Sequence, residues 1–187
     1  MLSKISVSDE DFKKLMPYFK TEILEKGDTF IVAGKRNDKV GFLEYGYLVA
    51  TYISEKGKEE VSQIYAKENG NIVISSHESY YYDSISTETV KAVQKTKLLV
   101  LTKKDINEII SKYPEFETVV KEIAERSYIK MVDRIKQFQS YTAKERIEIF
   151  FDKHKVLFNV LSKKHIASFL GINRNDFTRY LSQILKK

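Results

Sequence analysis

The sequence predicts an α+β chain with an N-terminal antiparallel β-roll of cupin or jelly-roll type, a long helix, and an all-helical C-terminal head. Three observations predict it. Between residues 21 and 101, short runs rich in Val, Ile, Tyr, Phe and Thr alternate with glycines and polar clusters, which is the pattern of antiparallel strands with no crossover helices. Apolar or small residues then recur at Phe116, Val120, Ala124, Tyr128, Met131, Ile135 and Phe138, a helical stripe. Finally, residues 162–187 hold six basic side chains and one acidic one, a charge of +5, while the rest of the chain holds 26 Lys and Arg against 25 Asp and Glu.

Taken in order, Ser8 with Asp11 opens a short helix that ends after Pro17, near residues 18–20. Strands are expected over 23–24, 29–32, 40–43, 47–53, 60–65, 71–74, 87–93 and 97–101, with Gly27, Gly34, Gly46, Gly57 and Gly70 in the breaks. A helix over 104–111 closes at Tyr113-Pro114, and the long helix follows over 115–139. Its stripe serves either a symmetric copy, as a short coiled coil, or the face of the β-roll; a homodimer is the expectation. The chain turns around residues 138–141, and Thr142 with Glu145 forms a capping box for the next helix. There Ile147, Ile149, Phe150 and Phe151 back the basic head. The expected domains are 1–114, 115–139 and 140–187.

The head carries the chemistry. Ser162 caps a first helix whose apolar side is Ile166, Ala167, Phe169 and Leu170. Gly171 ends it, Ile172 plugs the turn, and Asn173 caps a second helix with Asp176 in its first turn. At 100° per residue, Phe177, Leu181, Ile184 and Leu185 fall on one side of that helix; Arg174, Asn175, Thr178, Arg179, Ser182 and Lys186 fall on the other. Guanidinium, amide and hydroxyl groups are what base edges and phosphates accept. Arg174 and Asn175 are therefore the expected base readers, followed by Thr178, Arg179 and Ser182. Lys163, Lys164 and His165 open the first helix, where phosphate is the expected target. Two such heads would read an inverted repeat in duplex DNA.

Composition narrows the classes. An apolar content of 42% in 187 residues supports a substantial core, and no stretch approaches the roughly 20 apolar residues of a membrane helix. Residues 1–11 lack a signal-peptide core, so a cytoplasmic location is expected. The absence of cysteine excludes disulfides, thiolate-held zinc and iron–sulfur clusters. A cupin-type metal enzyme is the rival class, but His77, His154 and His165 are too dispersed for a metal site, and His154 reads as solvated. A lone His77 is a weak signal for haem. No nucleotide-binding glycine motif and no nucleophile–base spacing occurs, so no enzymatic activity and no cofactor is expected.

This order of parts resembles the Crp/Fnr superfamily of bacterial transcription regulators, over almost the whole chain. The residues that carry the resemblance are Glu25-Lys26-Gly27-Asp28, Gly34, Glu44-Tyr45-Gly46 and Lys56-Gly57-Lys58-Glu59 at the roll's turns. More specific is 166–172, Ile-Ala-Ser-Phe-Leu-Gly-Ile, followed by Arg174 and Thr178-Arg179. The resemblance implies a β-roll sensory domain, a dimerisation helix and a DNA-binding helix-turn-helix whose base-contacting positions match Arg174, Thr178 and Arg179. Two departures stand out. Residues 75–86 contain no Arg or Lys, and Gly70 is followed by Asn71, so the cation that grips a cyclic phosphate in this superfamily is missing and cyclic AMP is not the expected effector. The hydroxyls of Ser75, Ser76, Ser84 and Ser86 with Tyr80, Tyr81 and Tyr82, together with Asn71 and Tyr128, either line a pocket for another small molecule or belong to a polar loop. In addition, residue 187 follows directly on the second helix, so a full wing hairpin is not expected. The alternative function is a cyclic-nucleotide or other small-molecule binding module acting through protein partners.

Overall fold

In the computed structural model, residues 8–186 are described; residues 1–7 and Lys187, the last basic residue of the head, lie outside them. Helix α1 (Asp9–Leu15) starts at Ser8, whose Oγ accepts from the Asp11 amide, and a 3-10 turn over Met16–Tyr18 leads into the sheets. All eight expected strands are present: β1 (Lys20–Leu24), β2 (Thr29–Ile31), β3 (Lys39–Tyr45), β4 (Leu48–Ile53), β5 (Glu59–Tyr65), β6 (Val73–Ile74), β7 (Thr89–Ala92) and β8 (Thr96–Thr102). They form two antiparallel four-stranded sheets, ordered β1-β8-β3-β6 and β2-β7-β4-β5. Between the sheets lies a core of Leu24, Phe30, Ile31, Leu43, Leu48, Ala50, Tyr65, Ile74, Val90, Ala92, Leu98 and Val100.

Each sheet has part of its outer face covered, where an antiparallel roll usually leaves that face to solvent. On β3, Leu43 points inward while Val40 and Phe42 point outward, where Leu15, Leu101, Ile106, Ile109 and Phe116 cover them. The covering residues come from α1, α3 (Lys103–Lys112) and the start of α4 (Phe116–Ser140). Helix α3 begins with a capping box in which Thr102 and Asp105 satisfy each other's amides. The outer face of the other sheet contributes Val49, Val61, Ile64 and Ala66 to a cluster shared with the head: Ile147, Phe150, Leu157, Ile166, Ala167, Phe177 and Leu181. These come from α5 (Ala143–Lys153), α6 (Lys155–Val160), α7 (Lys163–Phe169) and α8 (Arg174–Ile184). Strand β5, the edge of its sheet, is thereby covered by α7.

The structure corrects four expectations. Residues 75–86 are not a plain loop: α2 (His77–Tyr82) lies within them, capped by Ser76 and closed by Asp83 at φ +53°. Helix α6 was not expected. Leu185, placed on the apolar side of the last helix, is 62% exposed, because that side of the head ends at Leu181 and Ile184. The α4 stripe is divided: Phe116 is buried and Val120 half-buried against the roll, while Tyr128, Met131 and Ile135 are 63%, 51% and 51% exposed. Among the described residues no helix is long and apolar enough to cross a membrane, and no group of three His, Asp or Glu could hold a metal.

Candidate nucleic-acid interface

The head is built as its caps dictate. The Ser162 Oγ accepts from the His165 amide at 3.1 Å and the Asn173 Oδ1 from the Asp176 amide at 2.9 Å, each satisfying a free amide of a first turn. Between the helices Gly171 adopts φ +64°, and a Cβ there would lie 2.6 Å from the Phe138 ring. The turn therefore needs glycine twice over, for the left-handed backbone and for the close approach of α4.

Phe177 and Leu181 fasten α8 to α5 and α7, with the Phe177 and Phe158 rings stacked 6.4 Å apart. The opposite face carries Arg174, Asn175, Thr178, Arg179 and Ser182, all exposed. All five expected reading residues thus share one solvent-facing side. Their hydroxyls are turned back onto the helix: Thr178 Oγ1 donates to the Arg174 carbonyl and Ser182 Oγ to that of Thr178, both at 2.9 Å. Arg179 is held 2.5 Å from the Asp176 carboxylate, whereas the Arg174 side chain has no ion-pair partner among the described residues.

The three residues at the start of α7 separate. Lys163 is exposed. Lys164 reaches the Glu59 carboxylate on β5 at 3.3 Å. His165 is half-buried, its Nδ1 closed off without a hydrogen-bond partner, and burial lowers its pKa from the ordinary 6.5. His154, expected to be solvated, behaves likewise: its ring packs 5.1 Å from that of Phe150 and burial lowers its pKa.

Several residues that fix the head were not singled out in the sequence. Ser168 on α7 accepts from the Val61 amide at 2.7 Å and donates to the Glu60 carboxylate at 2.6 Å. Arg134 on α4 donates to the Phe169 carbonyl at 2.9 Å and to the Ser62 carbonyl, with its guanidinium 4.3 Å from the Phe169 ring centre. Arg146 donates to the Leu170 carbonyl at 3.1 Å and to that of Tyr141 at 2.8 Å. Both arginines lie against Phe138, at 5.5 and 5.0 Å. Phe169 and Leu170 close α7, so two cations meet the negative end of its dipole. Nothing in the helical period distinguishes these arginines from solvated ones.

A cleft of about 820 Å³ runs between the roll, α4 and the head, and Asn71, Ser75 and Tyr128 line it. Ser76, Ser84 and Ser86 do not, because each is consumed locally. Ser76 caps α2, Ser84 Oγ donates to the Glu78 carbonyl, and the buried Ser86 donates to the Glu88 carbonyl. Cations enter the cleft from the helices, as Lys130, Arg134 and Arg146.

Solved structures with the same layout cover nearly all of the chain. The c-di-GMP-responsive global regulator CLP of Xanthomonas campestris superposes with a TM-score of 0.74 at 7% identity, over 96% of this chain and 92% of that one. FixK2 of Bradyrhizobium japonicum gives 0.73 at 13% identity, over 90% and 85%. The catabolite activator protein of Thermus thermophilus gives 0.60 at 15% identity, over 97% and 85%. The chain has the Crp/Fnr fold. At these identities the likeness is one of architecture, with roll, long helix and helical head in the same order. No protein-family model matches the chain, and no curated protein matches it in sequence.

Proposed function

We propose that this chain is a sequence-specific DNA-binding transcription regulator, working as a homodimer and carrying no catalytic activity. The observation that carries the reading is the face of α8: five groups able to contact bases or phosphates are exposed together, on a helix whose other side is fixed in the core. In a major groove, Arg174 and Asn175 at its N-terminus would meet base edges, with Thr178, Arg179 and Ser182 following. Lys163 adds a phosphate contact that carries no sequence information. Lys164 and His165 join it only if α7 gives up its contacts with β5. The dimer forms along α4, where Tyr128, Met131, Ile135 and Phe138 step by 3, 4 and 3 and remain exposed on the single chain.

Control of the head belongs to the cleft. Its occupant would touch Asn71, Ser75 and Tyr128 and would compete with the Ser62 and Phe169 carbonyls for Arg134, shifting the head by its differential affinity for the two arrangements. Residues 75–86 hold no Arg or Lys, so a cyclic nucleotide lacks its usual phosphate anchor on the roll. Selection of binding sites from a random duplex pool, at fixed salt, tests the main reading. An enriched palindrome with half-sites about 34–36 Å apart is expected. No enrichment, with or without cell extract, refutes it.

A further inference from the structure

On the outer side of the β1-β8-β3-β6 sheet, away from the roll's interior, lies a second cavity of about 110 Å³. Its walls are β3 and β8 with Val40, Phe42 and Leu101, α3 with Ile109 and Ile110, and the first half of α4 with Val119. No Asp, Glu, Lys or Arg lines it. It meets the cleft at Ser75, His77 and Ser127, which line both, but its apolar walls have no part in the DNA-binding reading. Unfilled apolar volume of this size leaves its lining without dispersion partners on one side. An apolar space of about this scale accepts a single small ring.

The walls are tied in place. The Thr102–Asp105 capping box fixes the start of α3, and Lys103 Nζ donates to the Tyr80 carbonyl at 2.6 Å, holding α2 across one end. That end is polar: Ser75, Ser127, Tyr80 and the exposed imidazole of His77 line it, with Lys103 behind Tyr80. The Ser75 hydroxyl has no protein partner among the described residues. Ser127 Oγ donates to the Ile123 carbonyl at 2.9 Å and keeps its lone pairs as acceptors. Burial pushes the Tyr80 phenol above its ordinary pKa, so it remains a neutral hydroxyl.

The geometry points to a binding site for a small uncharged molecule about the size of one aromatic ring, bearing a single hydroxyl or carbonyl group. The ring fills the space between sheet, α3 and α4, and its polar group faces Ser75 and Ser127. Charged molecules are disfavoured, since no Asp, Glu, Lys or Arg lines the space and the one ionisable side chain besides the tyrosines, His77, is exposed. An occupant would brace the first half of α4 against the roll, at the opposite end of that helix from Arg134.

Calorimetric titration of the full chain with phenol, benzene and benzoate tests this without any reference to DNA, so its failure and that of the DNA-binding reading are distinguishable. Phenol is expected to bind saturably, one per chain, and benzene about tenfold more weakly through loss of the hydrogen bond. Benzoate is expected not to bind. Val119→Phe, which fills the cavity from α4, should abolish phenol binding while the chain stays folded. Ile110→Phe does the same from α3 should the first variant fail to fold. Absence of saturable phenol binding, or binding that survives in the folded filled variants, overturns the assignment.

Discussion

Helices α7 and α8 belong to one motif and lie side by side, yet they spend their polar groups differently. On α7, Ser168 is used by β5, Lys164 by Glu59, and the last carbonyls by Arg134 and Arg146. On α8, Arg174, Asn175, Thr178, Arg179 and Ser182 face solvent, and the contacts they make are within their own helix. One helix anchors the head to the roll, and the other leaves its polar face open, as the proposed DNA contact requires. The difference shows how a small head can be held firmly without covering the surface it needs, because its anchorage runs through backbone groups at the far side of the turn.

Breaking the anchor should have the largest effect on stability. Arg134→Met removes two hydrogen bonds from a charged donor to largely desolvated carbonyls, each contributing roughly 1.5–3 kcal/mol. A loss of about 3 kcal/mol is expected in urea unfolding, with the relative preference among DNA sequences unchanged. An unchanged unfolding midpoint would show that Arg134 does not clamp the head. Breaking the reader should do the reverse. Arg174→Ala is expected to cost about 1–3 kcal/mol of DNA affinity and to relax preference at one base position, with no change in unfolding, since the side chain is exposed. Equal affinity for all sequences before and after the change would refute its role as a base reader. Ser168→Ala comes next. It leaves the Val61 amide without its acceptor, for an expected loss of about 1 kcal/mol in the same unfolding measurement, and an unaltered midpoint would mean that water replaces the hydroxyl.

The same comparison explains how much was legible in the sequence. The exposed polar face of α8 is legible because its signal is local: an N-cap, a glycine and a 3.6-residue period within a dozen positions. The strands were legible for a similar reason, with β-branched runs cut by glycines such as Gly46 and Gly57 that take positive φ in their turns. The anchoring face was not legible. Arg134 finds its partners 72 and 35 residues away, and Ser168 finds Val61 107 residues away, and no periodicity records such pairings. Helix α2 escaped because six residues, three of them tyrosine, lie below the length at which a helix persists alone. It survives through the Ser76 cap and the Lys103 contact to Tyr80. Among the proposed cleft residues, Ser76, Ser84 and Ser86 looked like Ser75 in sequence and differ from it only in having local partners.

The smallest expected effect comes from pH, and it separates the two helices again. His165 on α7 and His154 at the end of α5 are both half-buried, with Nδ1 closed off from any hydrogen-bond partner. Burial, and then Lys164 or Lys153 respectively, lowers each below the ordinary 6.5; Glu59 and Glu68 oppose this without reversing it. The folded chain therefore keeps both neutral at pH values where the unfolded chain already binds protons. Well above pH 6.5 neither imidazole is protonated in either state and their contribution to stability is fully present. As pH falls from there toward the lowered folded values, the unfolded chain takes up protons that the folded chain refuses, and stability drops. Arg174, Asn175, Thr178, Arg179 and Ser182 include no imidazole or carboxylate, so mild acid should loosen the anchor more than it alters the proposed DNA-contacting face. Thermal unfolding at pH 7.5 and pH 5.5 should show a larger loss for the wild-type chain than for a His154→Gln, His165→Gln variant. Equal losses in the two proteins would mean that neither imidazole reports on the head's docking, and that the acid sensitivity resides in the carboxylates instead.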